Sequence, residues 1–227
     1  MSMKYTNKTA LAALVAAGAL VTANSAWAVP TLELSSGMTT ITVTDGGMND
    51  ANSVAGAVTF VGQVGVFDIN VSTGITKPAN GSPTAPDIDL NSANSSDSAG
   101  TLTVRFSETD FQGVGPQRLG TNVGGTTQGS VSFSVDIDSG NNLFGSTQQI
   151  ANIGPFGSGA FSGTDSDTFN LIGPYSITQT ATITHPDSKD KTTSFDIQTV
   201  PVPATLGLLG AGLIGLGAVA RRRERQV

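Results

Sequence analysis

Alternation of apolar and polar residues at a period of two is the dominant pattern of residues 29–200, and it predicts β-strands. Five segments share this pattern: Thr39–Thr44, Thr101–Ser107, Ser130–Asp138, Tyr175–Thr184 and Thr193–Val200. In Ser130–Asp138 it continues without a break over nine residues, with the serines, Asp136 and Asp138 on the polar side. One apolar and one polar face per strand is typical of antiparallel sheets that are solvated on one side.

Val58–Val71 shows the same alternation with a change of phase. Apolar residues hold even positions up to Val66 and odd positions from Phe67. A shift of one residue turns the apolar side chains to the opposite face of a sheet. The glycines Gly62 and Gly65 stand beside this change, so we predict a bulge or a crossing between two sheets.

The remaining pattern sets the fold class. Turn residues separate the apolar runs, and residues 140–173 predict long loops with one short strand. No stretch of the body keeps a helical period, and no repeat of solenoid length occurs. Residues 29–199 therefore predict one all-β domain of eight or more short strands. The expected architecture is an antiparallel β-sandwich, jelly-roll-like or Ig-like.

The N-terminus has the three parts of a secretory signal peptide. Lys4 and Lys8 precede a short apolar run, and small residues stand at Ala26 and Ala28. This arrangement predicts export through the Sec translocon and removal of residues 1–28 by signal peptidase. The mature chain is then expected to begin at Val29.

The C-terminus combines a proline-containing motif, an apolar run and a basic end. Val200, Pro201, Val202 and Pro203 precede seventeen uncharged residues, Ala204–Ala220. As a helix this run is about 25 Å long, slightly less than the apolar core of a bilayer, and predicts a transient membrane anchor. The basic residues Arg221, Arg222 and Arg223 that follow are expected to stay on the cytoplasmic side.

This tail resembles the PEP-CTERM sorting signal of Gram-negative bacteria. In that family a Pro-Glu-Pro motif precedes an apolar helix and an arginine-rich end, and exosortase membrane proteases process the tail during export. Here Val202 stands where the family most often has Glu. The resemblance covers residues 200–227. It implies a cell-surface or extracellular-matrix protein associated with exopolysaccharide or biofilm.

The charge of the body excludes one class of partner. Residues 29–200 carry five basic and sixteen acidic side chains, a formal charge of −11, against −6 for the whole chain. Nucleic-acid binding depends on clustered Lys and Arg, so no nucleic acid is expected as a partner. The absence of cysteine excludes disulfides, thiolate metal sites and cysteine nucleophiles.

No catalytic arrangement stands out, and we predict that the protein is not an enzyme. His185 is the only histidine, and it precedes a Pro-Asp turn at a strand end, which predicts a histidine exposed in a surface turn. Glu33 and Glu108 are the only Glu residues of the body, and their spacing does not mark a glycosidase carboxylate pair.

Pairs of Asp at i and i+2 are candidates for calcium. On a strand such residues share a face, and two carboxylates on one face suit Ca²⁺. Asp136 with Asp138, and Asp165 with Asp167, are the candidate ligands. The alternative interpretation is that these acids keep an exposed sheet soluble and unpaired at its edges.

The leading hypothesis is an exported, non-enzymatic structural protein of the surface or matrix, with calcium as its one candidate cofactor. A polysaccharide- or calcium-binding module is the first alternative, and a glycoside hydrolase the second. Assembly into fibres through edge strands is a further alternative.

Overall fold

The computed structural model of the protein describes residues 28–186 and 190–203. Within these residues the regular secondary structure consists of strands alone, which confirms the all-β class. The ten strands are β1 (Thr31–Ser36), β2 (Thr39–Thr44), β3 (Ala57–Val64), β4 (Phe67–Ile75), β5 (Ile88–Ser96), β6 (Gly100–Thr127), β7 (Ser130–Asp138), β8 (Gln148–Phe156), β9 (Gly159–His185) and β10 (Lys191–Pro201).

All strands pair antiparallel in one hydrogen-bonded sheet. The main path runs β3-β4-β5-β10-β6-β9-β7-β8, and β1 joins β6 to β2. Two long strands pass from one layer to the other. The first layer contains β2, β1, residues 100–108 of β6, residues 176–185 of β9, β7 and β8. The second contains β3, β4, β5, β10, residues 119–127 of β6 and residues 159–167 of β9.

Aromatic side chains from both layers meet in the core. The ring of Phe133 on β7 lies 5.4 Å from Phe195 on β10 and 5.7 Å from Phe161 on β9, centroid to centroid. Gln179 on β9 also crosses the gap, and its Nε2 donates to the Ile88 and Ile197 carbonyls of the second layer at 3.0 and 3.3 Å. Burial of the aromatic and other apolar side chains is the main force that holds the layers together.

A bulge marks the place where β6 leaves the first layer. The register with β9 shifts between Glu108 and Phe111, and Asp110 adopts a φ of 60°. This strained backbone conformation is tolerated because Asn141 holds Asp110 in place. The Asp110 amide donates to Asn141 Oδ1 at 2.8 Å, and Asn141 Nδ2 donates to Asp110 Oδ1 at 2.6 Å. A bulge bends a strand, and this one turns β6 towards the second layer.

Two strands have the limits that the sequence predicts. β2 and β7 begin and end where the alternation predicts. Val58–Val71 is two strands rather than one, because a hairpin turn at Gly65 separates β3 from β4. The predicted bulge is also present, between Phe60 and Gly62.

The prediction of long loops in residues 140–173 is wrong. This segment contains β8 and the first half of β9. In the part of β9 next to β8, only Phe161 and Phe169 are buried, so the apolar alternation that marks a strand is missing. Pairing with β6 along the whole of residues 159–175 supplies the strand conformation instead.

Within the part of the chain that the structure describes, no helix is long and apolar enough to cross a membrane. The predicted sorting helix, Ala204–Ala220, lies outside the described residues, as does most of the predicted signal peptide.

Candidate functional site

Lys77 and Glu108 form an ion pair in the interior, beside the bulge of β6. Lys77 Nζ lies 2.7 Å from Glu108 Oε1, and the two side chains are 4% and 1% exposed. Thr76 Oγ1 donates to Glu108 Oε2 at 2.6 Å, and Lys77 Nζ also donates to the Thr109 carbonyl at 2.7 Å. The same ammonium lies 4.2 Å from the centroid of the Phe111 ring.

The surroundings of this pair shift both pKa values towards the neutral forms. Burial raises the pKa of Glu108 to about 7, although hydrogen bonds from Lys77 and Thr76 oppose the change. Burial also lowers the pKa of Lys77, against the attraction of Glu108. A glycosidase needs two carboxyl groups that face one open cleft. Glu108 faces a lysine in a closed interior, so its raised pKa reflects packing and does not mark a catalytic acid.

His185 is buried, and the prediction of an exposed turn histidine is wrong. Its side chain is 0% exposed. Nδ1 lies 2.7 Å from Ser96 Oγ, and Nε2 lies 3.0 Å from Thr193 Oγ1. Burial and then the charge of Lys191 lower the pKa of His185. Both ring nitrogens thus contact hydroxyl groups, and among the described residues neither contacts the carboxylate that a Ser-His-Asp triad requires.

The alternation of apolar residues along β9 could have predicted the burial of His185. Ile177, Ala181 and Ile183 are buried on β9, and residue 185 continues their phase. The strand reaches one residue further than the predicted end at Thr184.

Asp136 and Asp138 hold the loop between β7 and β8. Asp136 Oδ1 accepts from Ser146 Oγ at 2.7 Å, and Asp138 Oδ2 accepts from the amide and side chain of Asn142 at 3.0 and 2.8 Å. Burial disfavours the charged form of Asp138, but hydrogen bonds from Asn142 and Gly140 outweigh it and lower its pKa. The two carboxylates therefore bind loop residues, which is a structural role.

The same loop covers part of the face that the sequence predicts to be exposed. Ser176 and Thr178 of β9 are buried. Ser176 Oγ donates to the Asn142 carbonyl at 2.7 Å. Ser107 Oγ lies 2.9 Å from Thr178 Oγ1 and accepts from the Phe144 amide at 3.0 Å. Polar residues at these strand positions are therefore compatible with cover by a loop as well as with exposure to solvent.

Asp165 and Asp167 lie where the edge of the second layer approaches β8. Asp165 Oδ2 accepts from the Asn152 amide at 2.9 Å, and Gln148 Nε2 lies 3.5 Å from Asp167 Oδ2. A shallow surface groove of about 190 Å³ lies between these strands. Among the described residues, no group of three or more His, Asp or Glu is placed to hold a metal ion. Calcium binding at the four candidate Asp residues stays a prediction.

The outer side of the second layer presents an extended hydrophilic surface, here called the polar face. Strand register brings its members together across β5, β10, β6 and β9. They are exposed or half-buried residues: Asp89, Asn91, Asn122, Gly124, Ser162, Thr164, Ser166, Ser194, Asp196 and Gln198. Hydroxyl, amide and carboxylate groups on one flat surface can hydrogen-bond many groups of a hydrophilic polymer.

A carboxyl pair lies at one side of the polar face. Burial, and next the negative charge of Asp196, raise the pKa of Asp89 to about 6. Nearby, Gln198 Nε2 donates to Asp87 Oδ1 at 3.2 Å. Sequence reasoning missed this pair because Asp89 and Asp196 are far apart in the chain. Only the pairing of β5 with β10 brings them together.

Two shallow grooves lie along these strands, the first on the polar face and the second beyond it. One has a volume of about 560 Å³ and is lined by Arg118, Gly120, Thr121, Asn122, Thr164, Asp165, Ser166, Val200 and Val202. The other has a volume of about 610 Å³ and is lined by Thr126, Thr127, Gln128, Ser158, Gly159, Ala160, Asp190, Lys191 and Thr192. Since a strand rises about 3.3 Å per residue, six residues of β6 separate Gly120 from Thr126 by about 20 Å.

The predicted sorting segment begins inside the sandwich. Val200 and Pro201 are the last residues of β10 and pair with Gly120 and Leu119 of β6. The Val202 amide donates to the Arg118 carbonyl at 2.9 Å. The domain therefore extends past the predicted boundary after Thr199. The predicted signal residues Ala26 and Arg221–Arg223 lie outside the described residues.

Residues 199–223 match the family described as the PEP-CTERM protein-sorting motif. The chain carries a PEP-CTERM sorting motif. This motif identifies an exported protein that undergoes exosortase-type processing at its C-terminus. Its first residues, Thr199, Val200 and Pro201, are those held by β6.

Among curated proteins, none matches this chain. Solved structures with a distant likeness include the adhesin domain of Epf from Streptococcus pyogenes, at 12% identity and a TM-score of 0.40 over 76% of this chain and 58% of that one. TmCBM61 in complex with β-1,4-galactotriose follows at 10% identity and 0.27, over 62% and 92%. The enzymatically active domain of bacteriophage CBA120 tailspike protein 4 has 8% identity and 0.33, over 62% and 20%. Likeness at these scores carries no argument about function.

Proposed function

We propose that the mature protein is a non-enzymatic structural component of the cell surface or extracellular matrix of a Gram-negative bacterium. In this proposal it lies in contact with exopolysaccharide through the polar face. Sec-dependent export and removal of the tail by an exosortase-like protease deliver it to that compartment.

The polar face is the observation that carries this proposal. Asn122, Gln198 and Thr164 are neighbours across three strands, and their amide and hydroxyl groups can both donate and accept hydrogen bonds. Gly124 leaves the centre of the surface low, since only the Phe161 carbonyl lies within 4 Å of the place that its Cβ would take. A hydroxyl-rich polymer can therefore approach the strands closely.

The titratable groups support a non-enzymatic role. Glu108, Lys77 and His185 have shifted pKa values, and all three are enclosed by the protein. Catalysis requires that such groups reach a substrate. The shifted group on the polar face, Asp89, has another acid beside it and lies on an open surface.

The experiment combines localisation with binding. The native host is fractionated, and the protein is measured in cells, in the matrix and in the medium. The processed protein is then mixed with exopolysaccharide from the same host and sedimented. We expect it in the matrix fraction and in the polysaccharide pellet.

A blocking variant tests the polar face itself. Gly124→Leu fills the centre of the surface without backbone strain, and we expect at least tenfold weaker sedimentation with polysaccharide. Thr101→Leu, exposed on the outer side of the first layer, is the matched control and should bind like the wild type. Equal binding by all three proteins would place the contact elsewhere. Absence from the matrix fraction would overturn the structural role.

Calcium is the second candidate, since Asp165 and Asp167 lie together on an edge. Calorimetric titration of the processed protein with Ca²⁺ tests it. Heat that disappears in Asp165→Asn and persists in Asp68→Asn would support a site at this edge. A titration without heat would remove calcium from consideration.

A further inference from the structure

The two layers end in strands whose outer backbone groups have no strand partner among the described residues. These edges are β2, which pairs only with β1; β3, which pairs only with β4; β8, which pairs only with β7; and residues 159–167 of β9, which pair only with β6. An exposed edge is a template for pairing with another chain, and soluble proteins usually block it.

Three of these edges carry features that block pairing. In β3 the register shifts between Phe60 and Gly62. The ladder of β8 shifts twice, and Pro155 within that strand cannot donate a backbone hydrogen bond. The first part of β9 carries the charges of Asp165 and Asp167. Bulges, proline and charge are the usual means by which an edge is kept monomeric.

β2 carries none of these features. Its six residues, Thr39–Thr44, pair with β1 without a register shift. Every one is β-branched (four Thr, one Ile and one Val), and the strand has no Gly, Pro or charge. Such residues favour strand pairing. In a body of charge −11, an uncharged edge strand adds no charge repulsion of its own when a second acidic molecule approaches.

Exposed methionines stand near both ends of the same edge. Met38 precedes β2 and is 105% exposed, and Met48 follows it in the next turn and is 89% exposed. Large apolar side chains in such positions gain free energy when a partner covers them. The strand and its two flanks together form one surface suited to another polypeptide edge.

We propose that β2 pairs antiparallel with β2 of a second copy of this chain and forms a two-fold symmetric dimer. With the two-fold axis at Thr42, this residue lies opposite Thr42 of the second copy, and Ile41 lies opposite Val43. Met38 of each chain then points towards the turn that carries Met48 in the other. Because the other three edges are blocked, the symmetric contact closes at two copies and does not continue into a fibre.

This inference does not depend on polysaccharide binding, and its first test is the mass of the processed protein in solution. Sedimentation velocity across a hundredfold range of concentration should show twice the chain mass. Thr40→Lys with Thr42→Lys places four like charges across the proposed contact, and it should raise the dissociation constant at least tenfold. Ser162→Lys with Thr164→Lys, on the blocked edge of β9, is the matched control and should remain dimeric.

A second measurement uses the absence of cysteine in the chain. With Thr42→Cys as the single thiol, mild oxidation should link two chains covalently, whereas Thr164→Cys should stay unlinked. A wild-type monomer at every concentration, a dimer that survives both lysines, or equal cross-linking of the two cysteine variants would overturn the proposal. A ladder of higher oligomers would favour fibres and also overturn it. Circular dichroism of each variant verifies that it is folded.

Discussion

Two carboxyl groups, Glu108 and Asp89, show how differently this sandwich treats buried charge. Burial raises the pKa of both, Glu108 to about 7 and Asp89 to about 6. Glu108 has a cation, Lys77, at 2.7 Å. Asp89 has a second acid, Asp196, and lies on an open face. The first arrangement is satisfied within the protein, whereas the second leaves unfavourable charge that a proton or a hydrogen-bond donor can relieve.

The largest expected effect comes from breaking the interior pair. Lys77→Met leaves Glu108 charged or forces its protonation in a closed space, so we expect a loss of about 3–5 kcal/mol in the free energy of unfolding. Urea denaturation measures this loss. The double variant Lys77→Met with Glu108→Leu removes both charges and should recover most of it. Equal destabilisation of the single and double variants would show that packing, and not charge, accounts for the effect.

His185 extends the comparison to a buried group whose two hydrogen-bond partners are uncharged hydroxyl groups. Its two hydroxyl contacts suit the neutral ring, and the pKa is lowered from 6.5 in the folded protein. The unfolded chain therefore binds the proton more readily, and stability from this group is lost as the pH falls below about 6.5. His185→Gln should cost about 1–2 kcal/mol at pH 8. Its deficit relative to the wild type should shrink towards pH 5 in urea titrations; a constant deficit would contradict the lowered pKa.

Asp89 is expected to show the opposite pH dependence and the smallest effect. Its raised pKa means that the folded state holds the proton more tightly, so its stabilising contribution is present at pH 4 and is lost as the pH rises to about 6. Allowing for solvent screening, Asp89→Asn should stabilise the protein by about 1 kcal/mol at pH 7, or about 2–4 °C in Tm. At pH 4 the difference should vanish. Asp68→Asn, exposed on β4, controls for the change in net charge.

Much of the fold could be predicted because the apolar alternation is local. β2 and β7 have the predicted limits, and the bulge near Gly62 follows from a change of phase. The length of β6 and β9 could not be predicted, since each strand changes layer and its buried side changes with it. The strand around Asp165 lacks apolar residues, so its conformation depends on β6, which sequence periodicity cannot show.

The candidate site was harder to predict than the fold. The interior ion pair joins Lys77 to Glu108, and the surface pair joins Asp89 to Asp196, across separate strands. These contacts depend on strand order, which local patterns do not determine. By contrast, the burial of His185 could have been predicted, because it lies two residues after the buried Ile183 and so on the same side of the strand. The Pro-Asp sequence that follows it favoured an exposed turn instead.

The position of β10 bears on how the molecule resists pulling. β10 lies between β5 and β6 and pairs with each over nine residues, and the sorting segment continues directly from its end. Hydrogen bonds of an antiparallel ladder lie perpendicular to the strands. Tension along the tail therefore loads both ladders in shear, with many bonds sharing the force at once. A tail that left from an edge strand would load one ladder instead of two, so this attachment favours mechanical strength when the tail is pulled.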